Sequence, residues 1–417
     1  MHILDLFSGG GGLTEGFLRE QFHPVAHVEM DKSACSTLKT RLFFNTLKNN
    51  NNLDDYYAYI TNKITLNQVL ENNFDLLNDI ESTIFNQEIN ENSEKILIKS
   101  IKRLMNKQNI SNIDGIIGGP PCQAYSCAGR GRLFEDMKKD PRNYLYNHYV
   151  KFLEEFKPDF FVFENVPGMI SAETNIKIFP DFESKLRNLN YAPDYKILSA
   201  VNFNVLQNRR RLIVVGIKDN ANPFFDYDFE NNNVKNFKVW DLLTDLPKLQ
   251  AGEGDDSPRD YIKNSSKYLK DYNIRNKKDK VIQHSARKHN NQDREIYRQV
   301  IKAWNQNHKR IKYDELPDDL KSHKNKKSFL DRFKIVAGDL NYSHTIMAHL
   351  SKDGHYFIHP DIEQARSITV REAARIQSFP DNYKFEGSRT SQFKQIGNAV
   401  PPLMAQGLAK RIKDILY

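Results

Sequence analysis

The stretch His2-Ile3-Leu4-Asp5-Leu6-Phe7-Ser8-Gly9-Gly10-Gly11-Gly12 joins a short apolar run to four successive glycines. The run predicts a buried strand, and the glycines predict a turn whose backbone amides can approach a ligand closely. A helical pattern follows, and then a second strand-like run over residues 25–28, which ends at Glu29. A strand, a glycine turn, a helix, a strand and an acid form the opening unit of a doubly wound nucleotide-binding sheet.

The glycine turn does not by itself identify the ligand. An acid about twenty residues after such a turn commonly holds ribose hydroxyls, so Glu29 favours a nucleotide. NAD, FAD or a tight turn without a ligand would each fit these residues. Only residues further along the chain can decide among them.

Composition limits the class of protein. The chain has 417 residues, of which 39% are hydrophobic, so it can form two or three domains with a real core. We expect a soluble protein without a signal peptide or a membrane span, because no run approaches about eighteen apolar residues. Cys35, Cys122 and Cys127 lack metal-ligand spacing, which predicts no metal site and a free thiol in a reducing cytoplasm.

Strand-like and helix-like patterns alternate up to about residue 217, which predicts an α/β fold. The segment 45–83 interrupts them. It is rich in Asn, Asp and Tyr and low in pattern, which predicts an insertion on the surface. Helices are predicted over residues 93–105, 144–156, 370–377 and 402–416.

From about residue 224 to 365 the chain is polar, lysine-rich and irregular, which predicts a second domain inserted into the first. Residues 259–334 hold about 22 Lys/Arg against about 10 Asp/Glu, so the net charge of +8 comes from this region. We expect its charges and aromatics to form a surface for phosphates and bases, with an ordinary solvated surface as the alternative. The aromatics are Tyr261, Tyr268, Tyr272, Tyr297, Trp304, Tyr313, Phe329 and Phe333.

A thiol, a carboxylate and paired arginines each adjoin a strand-like run. The stretch Gly118-Gly119-Pro120-Pro121-Cys122-Gln123 follows the first run, Glu164-Asn165-Val166 ends the second, and Gln207-Asn208-Arg209-Arg210-Arg211 precedes the third. Prolines cannot continue a strand and glycines leave room for close approach, so Cys122 is placed as an accessible nucleophile. Together these groups indicate covalent catalysis with acid assistance. Taken singly, a buried structural cysteine and arginines in a phosphate clamp or a surface salt bridge are the alternatives.

In this order the residues closely resemble the DNA (cytosine-5) methyltransferase family of the bacterial restriction-modification type. The resemblance covers residues 1–44, 113–217 and 366–417. It departs from the family over 45–112, where the nearest candidate for the usual Gly-Asp-Ile-like motif is residues 86–89. The matching motifs are Asp5-Leu6-Phe7-Ser8-Gly9 with Gly11 and Gly12, Glu29, Pro121-Cys122-Gln123, Glu164-Asn165-Val166, Gln207-x-Arg209-x-Arg211, Arg371-Glu372-Ala373-Ala374-Arg375 and Gln395-Ile396-Gly397-Asn398-Ala399-Val400-Pro401-Pro402.

The resemblance implies a doubly wound mixed sheet of the S-adenosylmethionine-dependent methyltransferase type. Residues 1–225 plus 366–417 would be the catalytic domain, and residues 226–365 a smaller, irregular target-recognition domain. The implied reaction transfers a methyl group from S-adenosyl-L-methionine to carbon 5 of a cytosine flipped out of a specific duplex DNA sequence. The alternatives are an RNA cytosine-5 methyltransferase and a catalytically inactive DNA-binding protein on the same scaffold.

The resemblance also implies a setting. We expect a monomer that acts on double-stranded DNA in the bacterial cytoplasm, associated with the nucleoid and without membrane contact. It would be the modification arm of a restriction-modification system, beside a separate cognate restriction endonuclease.

The chemistry assigns roles to the matching residues. Carbon 5 of cytosine is a weak nucleophile, so the Cys122 thiolate would first add to carbon 6, while the Glu164 carboxyl group acts at ring nitrogen 3. Arg209 and Arg211 would hold the exocyclic oxygen, stabilise the thiolate and orient the carboxylate. Residues 123–142 would close over the substrate as a lid hinged at Gly129 and Gly131, with a passive surface loop as the alternative.

The same resemblance implies a cofactor pocket that brings distant parts of the chain together. Phe7 would stack near the adenine, Met30 would pack on it, and Glu29 would hold the ribose. Pro121 and Leu145 would line the pocket. The remaining cofactor residues are Ser8, Gly9, Gly11 and Gly12 in the turn and Asn398, which would close the pocket from the C-terminal segment.

Overall fold

The computed structural model describes residues 1–121, 140–172, 177–219, 223–227, 229, 233–321 and 330–417. Its strands are β1 (His2–Leu6), β2 (His23–Glu29), β3 (Ile84–Asn86), β4 (Gly115–Gly118), β5 (Phe160–Asn165), β6 (Tyr191–Ser199), β7 (Gln207–Asn208), β8 (Arg210–Lys218) and β9 (Ser343–His344). Seven of them form one sheet in the order β3-β2-β1-β4-β5-β8-β6. Strands β1 to β5 are parallel, and β8 runs antiparallel between β5 and β6. The predicted mixed α/β sheet is confirmed.

Four of the helices were predicted with bounds from the sequence, and they are confirmed with ends that agree within two residues. They span Glu94–Lys107, Leu145–Phe156, Val370–Ile376 and Pro402–Leu416, and the helical pattern after the glycine turn is confirmed as well. The α-helices of the described ranges are α1 (Gly12–Arg19), α2 (Lys32–Asn49), α3 (Asp54–Ile60), α4 (Leu66–Asn72), α5 (Phe74–Ser82), α6 (Glu94–Lys107), α7 (Leu145–Phe156), α8 (Ile178–Asn188), α9 (Lys267–Asp271), α10 (Asn291–Asn307), α11 (Val370–Ile376), α12 (Arg389–Asn398) and α13 (Pro402–Leu416). None of them is long and apolar enough to cross a membrane.

Helices cover both faces of the sheet, because alternate strand residues point to opposite sides. On one face, Leu4, Ile116 and Phe161 pack with side chains of α6, α7 and α8. On the other face, Ile3 and Val162 pack with side chains of α1 and α13. The C-terminal helix therefore completes the layer that the N-terminal helix begins.

The segment 45–83 holds more structure than its weak pattern indicates. Helix α2 extends into it, and α3, α4 and α5 follow and share an apolar core with α2. Tyrosines of α3 donate hydrogen bonds to residues far along the chain. Tyr56 donates to the Asn382 carbonyl oxygen at 2.5 Å, and Tyr57 donates to the Asp279 carboxylate at 2.9 Å. Short helices that depend on such tertiary contacts leave little periodicity in the sequence.

The expectation of an aromatic surface in the basic region is wrong for most of its members. Tyr268 and Tyr297 are fully buried, and Tyr313 and Trp304 are 2% and 7% exposed. Tyr297, Trp304, Tyr313 and Phe333 pack around α10 as a core, whereas Phe329 lies outside the described residues. The basic charge does stay outside, as the exposed side chains of Lys277, Lys288, Lys302 and Lys309 show.

The region 226–365 shares a core with the residues that flank it. One apolar cluster contains Leu206, Val239, Tyr268, Ile346 and residues of α11 and α12. The two-strand pairing of β7 with β9 also joins the end of this region to the residues just before β8. Residues on both sides of the predicted domain boundaries are therefore packed together.

Candidate active site

The residues predicted for the site converge on one edge of the sheet. Strands β1, β2, β4 and β5 are parallel, so the segments that follow them emerge at the same edge. Strand β8 is antiparallel to β5, so its first residues lie at that edge as well. This edge brings together the glycine turn, Glu29, the segment that leads to Cys122, Glu164 and Arg211.

The glycine turn leaves an open space above its backbone. Phe7 has a φ of 56°, a conformation that is unusual for a bulky residue and is common at functional sites. Gly9 has a φ of 54°, and a Cβ atom built on it would meet nothing within 4 Å. The Ser8 hydroxyl donates to the Asp5 carbonyl oxygen at 2.9 Å, and the Gly11 amide donates to the Ser8 carbonyl oxygen at 3.0 Å. Hydrogen bonds to Asp5 and Ser8 therefore fix the turn, and the space next to Gly9 stays open.

Glu29 closes one side of that space. Its Oε2 accepts from the Gly9 amide and its Oε1 from the Asp31 amide, both at 2.8 Å. Burial raises the pKa of Glu29, and the hydrogen bonds from Asp31 and Gly9 oppose that rise. Each carboxylate oxygen retains a lone pair for a further donor. Met30, beside it, is 61% exposed, so an apolar surface lies next to the carboxylate.

Asn86 contacts this loop from the next strand. Its amide nitrogen donates to the carbonyl oxygens of Glu29 at 3.2 Å and of Met30 at 3.0 Å. The resemblance had offered residues 86–89 only as the nearest candidate for a missing motif. Their position at the end of β3, beside β2, follows from strand pairing that the sequence did not reveal.

The C-terminal segment returns to the glycine turn, as the resemblance implied. A Cβ atom at Gly12 would lie 2.2 Å from the Val400 carbonyl oxygen, and one at Gly10 would lie 3.0 Å from the Gln395 Cβ atom. Only glycine permits this approach at position 12, because backbone atoms cannot move aside as a flexible side chain can. Asn398, between these contacts, is the exposed last residue of α12.

Glu164 is the next-to-last residue of β5 and is 8% exposed. Its Oε1 lies 2.7 Å from the Nε atom of Arg211, so the guanidinium fixes one carboxylate oxygen. Its Oε2 lies 2.6 Å from where a Cβ atom of Gly119 would be. Glycine at position 119 therefore makes the space that the carboxylate occupies.

Cys122 lies outside the described residues, as do residues 123–139 of the predicted lid, including Gly129 and Gly131. The chain before Cys122 is described through Pro121. The Asn165 side chain donates to the Pro120 carbonyl oxygen at 3.4 Å, which ties this segment to the end of β5. Pro121 and Leu145 line one small cavity, together with Phe163 and Asn165.

The two predicted arginines take different positions. Arg211 reaches Glu164, whereas Arg209 is fully buried and its Nη1 donates to the Ile346 carbonyl oxygen at 2.9 Å. The Arg209 Nε and Nη2 atoms have no hydrogen-bond partner among the described residues. Burial lowers the pKa of Arg209 and neighbouring Arg211 lowers it further, while Glu164 opposes both.

A mixed sheet with a glycine turn after β1, an acid after β2, and a second acid paired with an arginine at the same edge is typical of cofactor-dependent α/β transferases. The chain belongs to the family described as C-5 cytosine-specific DNA methylase, whose profile matches residues 1–77 and 69–414. The protein accordingly transfers a methyl group from S-adenosyl-L-methionine to carbon 5 of cytosine in DNA.

Individual relatives agree with this family. The chain is 40% identical to the Type II methyltransferase M.Bpa9945I of Bacillus paralicheniformis over 447 aligned residues, covering 100% of this chain and 99% of the relative. It is 30% identical to the Type II methyltransferase M1.HphI of Haemophilus parahaemolyticus, covering 98% and 86%. Among solved structures, a putative DNA modification methyltransferase of an Escherichia coli prophage has the same fold, with a TM-score of 0.63, 22% identity and coverage of 100% and 99%.

The described residues fit the cofactor. The open space at Gly9 admits a ligand, the Glu29 carboxylate can accept ribose hydroxyls, and exposed Met30 offers an apolar contact for a base. When bound, S-adenosyl-L-methionine supplies an electrophilic methyl group carried on a sulfonium.

Proposed function

We propose that Cys122 is the nucleophile of this methyltransferase and that Glu164, oriented by Arg211, is the acid. The Cys122 thiolate adds to carbon 6 of a flipped-out cytosine as Glu164 donates to ring nitrogen 3, which leaves carbon 5 electron-rich. Carbon 5 takes the methyl group, its proton then leaves to a water, and the thiolate is eliminated. The cofactor is held by Phe7, the residues of the glycine turn, Glu29, Met30, Pro121, Leu145 and Asn398.

The observation that carries this proposal is the Glu164–Arg211 pair beside Gly119. A carboxylate oxygen lies close to the Gly119 backbone, and Cys122 follows three residues later. A chain can extend by at most about 3.6 Å per residue, so a three-residue interval is short enough for the Cys122 thiol and the Glu164 carboxyl group to act on one cytosine ring.

Trapping tests the nucleophile. Duplex DNA that contains 5-fluorocytosine should form a covalent adduct with the wild-type protein, because fluorine cannot leave carbon 5 as a proton does, and Cys122→Ser should form none. Cys35→Ala is the matched control and should still form the adduct. Burial raises the pKa of the Cys35 thiol to about 12, so it is not a nucleophile at neutral pH. An adduct that persists in Cys122→Ser would remove Cys122 from the mechanism.

We further propose that residues 226–365 read the target sequence, and that a monomer acts on double-stranded DNA in the bacterial cytoplasm as the modification arm of a restriction-modification system. The exposed lysines of that region support binding to phosphates, and the names of the relatives support the setting. Grafting residues 226–365 onto a related catalytic domain should transfer the target sequence, as read by bisulfite sequencing. If the graft keeps its host's target, recognition lies elsewhere.

A further inference from the structure

The end of the proposed recognition region is held by two buried side chains from the residues before β8. The Gln207 Oε1 atom accepts from the Ile346 amide at 2.8 Å, and the Arg209 Nη1 atom donates to the Ile346 carbonyl oxygen at 2.9 Å. Gln207 and Arg209 are both fully buried. The pairing of β7 with β9 adds backbone contacts on the same segment. Ile346 is thus fixed through both of its peptide groups.

Gln207 passes this contact on to a second buried glutamine. Its Nε2 atom donates to the Gln377 Oε1 atom at 2.8 Å. The Gln377 Nε2 atom donates in turn to the Ile396 carbonyl oxygen at 2.6 Å and to that of Ala399 at 3.4 Å. Gln377 is also fully buried. In a medium of low dielectric a chain of hydrogen bonds acts as a unit, because an unmade bond there is costly.

Helix α12, where this path ends, lies between the recognition segment and the cofactor turn. On one side, a Cβ atom at Gly397 would lie 2.3 Å from the Ala348 amide nitrogen, so the two backbones touch. On the other side, Gln395 and Val400 contact the glycines of the turn at positions 10 and 12. Because these backbone atoms are closely packed, a shift of the segment at Ala348 also displaces α12 and the glycine turn.

We infer that this path couples target recognition to cofactor binding, with Gln377 as the positioning residue. The inference rests on the proposal that residues 226–365 read DNA. DNA that binds at the segment around Ile346 favours one position of that segment, and the contacts through Gln207 and Gln377 carry this preference to the end of α12 against the glycine turn. The same contacts carry the effect in the opposite direction, because coupling between two binding sites is reciprocal.

Binding of S-adenosyl-L-homocysteine, which has no methyl group to transfer, tests the coupling. Its Kd is measured by calorimetry with and without a plasmid that the wild-type protein methylates. We expect the plasmid to lower the Kd at least about fivefold in the wild type. In Gln377→Met, a variant of similar shape that cannot make these hydrogen bonds, the plasmid should change the Kd by less than about twofold. In the methylation reaction, Gln377→Met should have a higher KM for the cofactor than the wild type and a similar kcat.

Gln283→Met is the matched control. Gln283 is buried and makes two hydrogen bonds to the backbone of Phe385, but none to the path. Its plasmid-induced tightening should equal that of the wild type. Equal tightening in Gln377→Met, or none in the wild type, would overturn the inference, and methylation of the plasmid by the wild type would show that the proposed function still stands.

Hydrogen exchange on the wild-type protein tests the path without a mutation. S-adenosyl-L-homocysteine alone should slow exchange of the Ile346 amide, whose acceptor is Gln207. Slowing confined to residues 7–12 and 395–400 would mean that the contacts do not transmit cofactor binding, whether or not the variants fold.

Discussion

The Nε atom of Arg211 lies 2.7 Å from the Oε1 atom of Glu164, where the first residues of β8 meet the end of β5. The antiparallel run of β8 produces this meeting, since a parallel strand would carry its first residues to the opposite edge of the sheet. The pair leaves the second carboxylate oxygen for the proposed contact with the substrate.

Glu164→Gln should lower kcat by on the order of a hundredfold or more, since a positioned proton donor contributes that much. Arg211→Ala should cost a similar factor, because the carboxylate would lose its orientation. If Arg211 acts through Glu164, Arg211→Ala should lower kcat much less in the Glu164→Gln background than in the wild type. Exposed Arg210 gives the control for loss of a charge, with Arg210→Ala measured at saturating DNA. Fully additive losses would contradict the orienting role.

Gly119→Ala should lower turnover strongly without unfolding the protein. The new Cβ atom would lie 2.6 Å from the Glu164 Oε2 atom, so the carboxylate must move. We expect a loss on the order of a hundredfold in kcat, comparable to that of Glu164→Gln. Thermal denaturation and cofactor affinity should stay close to those of the wild type. Normal turnover would show that the carboxylate can shift without harm.

Glu29→Ala should weaken cofactor binding by roughly tenfold or more, because hydrogen bonds to a charged group contribute about 1.5–3 kcal/mol. The Gly9 and Asp31 amides would also lose their acceptor. Asp31→Asn is the matched control. It removes a neighbouring charge but keeps an oxygen for the Ala34 amide at the start of α2. Calorimetry with S-adenosyl-L-homocysteine measures both, and equal affinities in the two variants would exclude Glu29 from the pocket.

The protein should lose stability as the pH falls below about 6.5. Burial lowers the pKa of His284 from 6.5 to about 4, with Arg366 lowering it further and Glu372 opposing the shift. Between these values only the unfolded state takes up the proton, so the stability is complete above pH 6.5 and is lost as the pH falls through 4. Burial also lowers the pKa of His289 to about 4 and those of His344 and His359 to about 3.

Urea unfolding measures this dependence. His284→Gln should reduce the slope of the unfolding free energy between pH 6 and 5 by up to about 1.4 kcal/mol per pH unit, the value for one proton. Between pH 8 and 9 the two proteins should have equal slopes, because His284 then binds almost no proton in either state. An unchanged slope below pH 6 would mean that His284 is not buried in its neutral form.

The local features of this protein could be predicted from its sequence. The glycine turn after an apolar run, the acid after the next run and the four predicted helices follow from periodicity and from the conformational freedom of glycine, which are properties of neighbouring residues. The family, and with it the reaction and the cofactor, followed from motifs in a fixed order.

The contacts between groups far apart in the sequence became known from the three-dimensional fold. The contacts of Val400 with Gly12, of Tyr57 with Asp279 and of Gln207 with Gln377 join residues separated by 170 or more positions. Aromatics that the charge pattern assigned to a surface form a core, because burial depends on neighbours in space. The separate positions of Arg209 and Arg211 likewise follow from packing, since two arginines that are two positions apart in the sequence do not indicate which partner each will find.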